Sequence, residues 1–200
     1  MNGLGRWLLG ALLMLGVAQV QAAQWRLVKD EAGIRIYLQQ IPGSNFQAFR
    51  GVTRIGTDMS RLLALQDDVG AACAWVHACS EQRLLKHEGN LSWVYSRFHT
   101  PWPVQPRDSI LQVTTTHDAD GRVTRTLLGV ADYLPPQSGF VRVSKVEGFW
   151  NLTPREGEIE VIYQVHSEPG GSVPAWLANS FVVDAPFNTL QGLRQLAEQP

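Results

Sequence analysis

A chain of 200 residues with 17 basic and 18 acidic side chains has a formal net charge of −1. That length is enough for one sizeable core. The near-neutral balance gives no electrostatic footprint for nucleic acid or an anionic surface.

The N-terminal segment reads as a targeting signal rather than as part of the fold. Arg6 supplies a positive n-region, Trp7 to Ala18 form an apolar h-region, and Val20-Gln-Ala22 offers small residues for cleavage. The apolar run is shorter than the roughly 20 residues of a membrane-spanning helix. An uncleaved anchor or a buried helix is the alternative reading. No Cys follows the run, which argues against a lipoprotein anchor. Residues 1–22 are therefore taken as a signal peptide cleaved near Ala22, and 23–200 as one domain, periplasmic or secreted.

Period-two alternation dominates the rest. Ile34, Ile36 and Leu38 point one way, with Arg35 and Tyr37 opposite, the pattern of an antiparallel strand with one wet face. Asp58 can cap a helix running to about Asp68, with Leu62, Leu63 and Leu65 on its apolar side. Cys73 and Cys79 follow. In an exported chain such a pair reads first as a disulfide; two buried thiols are the other reading, since spacing does not establish geometry. A metal site using His77 would need further ligands, and none is nearby in sequence.

The central run Tyr95-Ser-Arg-Phe-His-Thr-Pro-Trp-Pro-Val-Gln-Pro-Arg-Asp108 sets a proline-rigidified connector between two strand-like segments. Trp102 within it reads as a lid over a cavity mouth or as a plug in the core. Neighbouring strand residues face opposite sides, so of Arg107 and Asp108 one faces the concave interior and the other the rim. An inward Arg107 would need a partner or a ligand anion. Alternatively, it pins the preceding turn through backbone carbonyls.

Further alternation follows at Leu111 and Val113, at Val141 and Val143, and at Ile159, Val161, Tyr163 and Val165. Turn signals at Pro42-Gly43, Asp120-Gly121, Pro135-Pro136 and Glu156-Gly157 separate these segments. The expectation is a meander of about seven to nine strands. Pro169-Gly-Gly171 reads as a hinge or an ordinary turn. It leads into a helix from Pro174 to about Ala197, which Pro186 should bend or break.

The catalytic motifs with a recognisable mechanism are missing: no G-x-S-x-G elbow, no phosphate-cradling glycine loop and no H-E-x-x-H pair. The five histidines are scattered. A curved antiparallel sheet roofed by one helix leaves a concave volume, and such apolar concavities are typical ligand sites.

Several segments, in order, carry a family likeness: Trp25 to Tyr37, Asp67 with the Trp75 segment, Tyr95, Pro101-Trp-Pro103, Arg107-Asp108, Gly148-Phe-Trp150 and Pro169 to Trp176. In these the chain resembles START domains, the lipid-transfer domains related to the steroidogenic acute regulatory protein. The resemblance implies an α+β helix-grip fold, a curved antiparallel β-sheet wrapped around a long C-terminal helix with an apolar cavity. It implies one bound lipid, no enzymatic activity, no cofactor and no metal, transient membrane contact and a monomer. Arg107 matches the family's cavity arginine. Sterol-binding members pair that arginine with an acid on the preceding strand, and Ser92 to Phe98 holds none. The expected ligand is therefore a phospholipid or another anionic lipid rather than a sterol. The expected lipid-binding residues are Arg107, Tyr95, Trp102, Trp150, Phe181, Phe187 and Leu190. A cyclase- or aromatase-like enzyme on the same cavity is the competing reading.

Overall fold

The computed structural model describes residues 24–199, so the expected signal segment, 1–22, lies outside the described residues. The protein is built on one antiparallel sheet. Its strands are β1 (Arg26–Glu31), β2 (Ile34–Gln40), β3 (Gln47–Ile55), β4 (Cys79–Glu88), β5 (Leu91–Phe98), β6 (Arg107–His117), β7 (Val123–Gly129), β8 (Val141–Arg142), β9 (Lys145–Arg155) and β10 (Glu158–Glu168). In space they run β1-β2-β3-β10-β9-β7-β6-β5-β4, with the two-residue β8 lying parallel to the start of β6. The order is thus more than a sequential meander. The first three strands join the sheet through β3, which pairs with the last long strand, β10, while β4 forms the far edge.

The chain must therefore cross the sheet between β3 and β4. It does so through helix α1 (Met59–Asp67) and a 3₁₀ turn over Val69–Ala74. Asp58 caps α1 as its sequence position requires, accepting from the Arg61 amide at 2.8 Å. Asp68 does the same for the 3₁₀ turn, accepting from Ala71 N. Cys73 and Cys79 are joined by a disulfide that ties this crossover to the first residue of β4.

The C-terminal helix is in two pieces, α2 (Ala175–Phe181) and α3 (Asp184–Ala197). Pro186 is the cause, but the break falls upstream of it. Pro186 lacks the N–H that would bond the carbonyl of Val182 one turn back, so the helix is interrupted at 182–183 and restarts. Pro186 then sits in the first turn of α3, where its missing donor costs nothing.

Helix α3 packs on β2 and β3 through Phe187, Leu190, Leu193 and Ala197, each at most 5% exposed. They meet Ile34, Ile36, Ile55 and Val161, which are also fully buried. The expected alternation in β2 is present, with Ile34, Ile36 and Leu38 buried and Arg35 exposed. Close approach also matters at Gly192. A Cβ there would lie 2.8 Å from the Trp75 carbonyl, so glycine lets α3 lie directly on the crossover backbone. The core is thus concentrated on one half of the concave face.

Candidate functional site

On the other half, the crossover and the start of α3 stand away from the sheet and leave a cavity of about 460 Å³. Its floor comes from alternate residues of adjacent strands: Leu111 and Val113 on β6, Arg125 and Leu127 on β7, Trp150 on β9 and Tyr163 on β10. Register sets Arg125 opposite Trp150 and Trp150 opposite Tyr163, so these three make one row across the sheet. Trp150 and Tyr163 stack with centroids 3.8 Å apart and planes 9° from parallel. Trp75, from the crossover, meets Trp150 edge-on at 6.0 Å. Phe49 meets Tyr163 edge-on at 5.0 Å. Burial pushes the Tyr163 phenol up to about 12, so it stays a neutral hydroxyl at physiological pH.

The roof and rim belong to the crossover and the broken helix. Ala72, Trp75 and Val76 close one side. Phe98 to Pro101, Phe181 and the α3 start at Ala185 and Pro186 form the other. The walls are mostly aliphatic and aromatic, with a few fixed polar groups, the composition expected of a site for an apolar ligand.

Of the seven residues expected to touch lipid, Trp150 and Phe181 line this cavity. The other five lie outside its lining, for separate reasons. Phe187 and Leu190 sit on the sheet-facing stripe of α3 and hold the helix to the core; Ala185 and Thr189 on another stripe face the cavity. Trp102 is 92% exposed, so it is neither a core plug nor a cavity wall. The Trp102–Pro103 peptide bond in this loop is cis.

Tyr95 and Asp108 lie on the opposite face of the sheet. On β5 it is Val94, Ser96 and Phe98 that line the cavity, so the odd-numbered Tyr95 points away. It is fully buried and donates to Asp108 Oδ2 at 3.1 Å while accepting from Arg97 Nε at 2.9 Å. Its pKa is raised, chiefly by burial.

Arg107 does carry the parity of the cavity face, sharing it with Leu111 and Val113 and standing opposite Phe98. Its guanidinium nevertheless turns along the sheet edge. Nη1 donates to the Gln105 carbonyl and Nη2 to the Gly170 carbonyl at 3.4 Å. Burial pushes its pKa down. Of the two readings open in the sequence, the backbone pin is the one realised. Gly170 has a φ of +70°, and a Cβ there would lie 2.5 Å from the Arg142 carbonyl. Gly170 therefore packs backbone-to-backbone against β8, an approach only glycine allows.

The sequence matches the START domain family over residues 12–199. The chain belongs to the START domain family. An uncharacterised protein of Pseudomonas aeruginosa is 50% identical over 201 residues, covering 100% of both chains. The crystal structure of a STAR-related lipid transfer protein from Xanthomonas axonopodis superposes with a TM-score of 0.83 at 36% identity, over 88% of this chain and 99% of that one. Human StAR-related lipid transfer protein 5 superposes with a TM-score of 0.79 at 15% identity, over 88% of this chain and 86% of that one, a likeness of fold. The helix-grip architecture inferred for this START chain is thus the one it has, and the family supports lipid binding in general.

Arg125 is a further residue of the site, and β7 carries a sequence signal for it. Val123, Arg125 and Leu127 share one face and are all buried. A charged residue in the middle of an apolar stripe asks for a partner. The Asp67 carboxylate, 2.7 Å from Arg125 Nη2, is that partner.

Proposed function

We propose that this START protein binds a single anionic lipid in its cavity and shuttles it between membranes, with α2 and the start of α3 as the gate. The observation that carries the reading is the 460 Å³ apolar cavity enclosed between the concave sheet, the crossover and the broken helix. Each buried methylene contributes about 0.8 kcal/mol, so one acyl chain supplies ample affinity without any polar code.

The gate is supported by how α2 is attached. It is separated from α3 at 182–183 and held by a few polar contacts. Asn179 Oδ1 accepts from the Gln47 amide at 3.1 Å and its Nδ2 donates to the Asn45 carbonyl at 3.2 Å. The Arg107–Gly170 bond anchors the segment just ahead of it. Opening breaks these bonds and draws Phe181, already partly exposed, away from the cavity rim.

Transient membrane contact is supported by two exposed tryptophans, Trp102 next to the rim residue Pro101 and Trp176 on α2, 92% and 74% exposed. Indole rings favour the membrane–water interface. Among the described residues no helix is long and apolar enough to cross a membrane. The periplasmic or secreted location rests on the sequence of residues 1–22 and fits the Cys73–Cys79 disulfide.

Native mass spectrometry of the protein purified from cells tests the reading. A co-purified lipid that exchanges with added vesicles is the expected result. A clean ligand-free mass under gentle conditions, with no uptake from vesicles, would sink it.

A further inference from the structure

The cavity is polar at the end where α1 meets the 3₁₀ turn. Gln66, Trp75 and Arg125 all contribute to its wall there. Each carries buried polar atoms with no hydrogen-bond partner: both ends of the Gln66 amide, the Trp75 indole N–H and the Arg125 Nε–H. The three are physically linked. Gln66 precedes Asp67, whose Oδ1 lies 2.7 Å from Arg125 Nη2. Arg125 stands opposite Trp150 in the sheet, and Trp150 contacts Trp75 edge-on. Trp75 and Arg125 are each 8% exposed. Unmet buried polar groups are costly, and native proteins hold few of them without a reason. Among the described residues, four of the six such atoms belong to these three wall residues, and the other two, Arg61 Nε and Arg122 Nε, belong to residues outside the lining.

We infer that this cluster is the headgroup seat, and that it selects a single-chain amphiphile ending in an oxyanion, a carboxylate or a phosphate. The inference rests on the lipid-binding reading and moves the polar contact from Arg107, committed to two backbone carbonyls, to Arg125. Three of the four unpartnered atoms are nitrogen donors and one is an acceptor. A group whose oxygens accept without donating answers that imbalance, and hydrogen bonds to a charged acceptor are the stronger kind. Asp67 is exposed to water while Arg125 is not, so Arg125 remains the less screened charge inside. Size sets the chain count. At about 30 Å³ per water-sized group, and a methylene is close to that, 460 Å³ holds about fifteen groups. That suits one acyl chain rather than two.

The test compares palmitate, hexadecyl phosphate and hexadecanol, which share one chain and differ only in the head. Wild type should bind one or both anions about tenfold or more tighter than hexadecanol, and the tighter anion names the head. Gln66→Met and Arg125→Met should each bring the anion-to-alcohol ratio close to one, by weakening the anions more than hexadecanol. Arg125→Met also strips Asp67 of its partner and can disturb folding. Gln66→Met removes only unpartnered groups, so its stability should equal or exceed that of wild type. A wild type that binds all three alike, or a Gln66→Met that keeps the full preference, overturns the seat and leaves the lipid-binding reading standing. Failure of wild type to bind any of the three overturns both.

Discussion

Arg142 grips Asp108 at two points on the sheet face turned away from the cavity, with Nε to Oδ1 and Nη2 to Oδ2 both at 2.9 Å. Asp108 is fully buried and also accepts from Tyr95, while Arg142 donates onward to the carbonyls of Ala131 and Leu134. The hydrogen bonds to Asp108 are what raise the Arg142 pKa. The Arg-Asp dipeptide of the sequence is thus divided between two tasks. Arg107 pins the edge beside the gate, and Asp108 ties β6 to β8 and the loop after β7.

This network makes Asp108 a stability residue. Asp108→Asn leaves the Arg142 guanidinium buried without its counter-charge, and breaking one side of such a pair costs about 3–5 kcal/mol. Urea denaturation should show that loss, with anion binding by the remaining folded fraction unchanged. The double replacement Asp108→Leu with Arg142→Met should cost less than Asp108→Asn alone, because no unpaired charge is left behind. Equal or greater loss in the double variant would remove the pair as the cause.

Arg107 is predicted to affect motion rather than ligand preference. Arg107→Met frees the Gln105 and Gly170 carbonyls and so loosens the segment ahead of α2. Hydrogen exchange over residues 170–181 should speed up, and lipid release should quicken several-fold. The preference for an anionic over an alcohol head should stay at the wild-type value. Loss of that preference would return Arg107 to the binding site.

The disulfide should matter for both stability and the cavity wall. It closes a loop with a sequence separation of six, for which chain entropy gives about 2 kcal/mol. Trp75 and Val76, both cavity-lining, lie inside that loop. Reduction, or Cys73→Ser with Cys79→Ser, is expected to lower the melting temperature by several degrees. Lipid affinity should weaken with it, as titration of the still-folded reduced protein would reveal.

Why some of this was legible in the sequence and some was not follows from the range of the interactions. The β2 stripe, the Asp58 cap and the helix break demanded by Pro186 are local effects, fixed by a few neighbouring residues, and they could be read directly. The orientation of Arg107 was readable to its face, since parity fixes that, but not to its partners. Gln105 is two residues away, whereas Gly170 comes from the far end of the chain. Phe187 and Leu190 lie on the apolar side of α3. Whether that side met the core or the cavity depended on the crossover between β3 and β4, which periodicity does not encode. Arg125 was visible as a charge in an apolar stripe, yet its meaning required Asp67 to be brought across the sheet.

The exposed tryptophans give a prediction separable from ligand affinity. Trp102→Ala with Trp176→Ala removes two large apolar groups that contribute little to the core, at 92% and 74% exposure. Folding stability should change by no more than about 0.5 kcal/mol. Transfer of a fluorescent fatty acid between vesicles should slow about tenfold, while its affinity in vesicle-free buffer is retained. Unchanged transfer would mean the rim does not dock through these residues.

Tyr163 supplies a pH dependence with a definite sign. Burial raises its pKa from 10 to about 12, so between those values the folded protein keeps a proton that the unfolded chain has lost. Stability is therefore unaffected below pH 10 and falls as pH rises. The loss is complete above pH 12, at about 3 kcal/mol. Tyr95, also raised by burial, adds a loss of the same sign. Tyr163→Phe removes the ionisation while keeping the ring stacked on Trp150, so its alkaline unfolding limb should be shallower than that of wild type. Phenolate absorbance should confirm one late-titrating tyrosine fewer. If the two alkaline limbs superimpose, the hydroxyl is not held in the dry floor of the cavity.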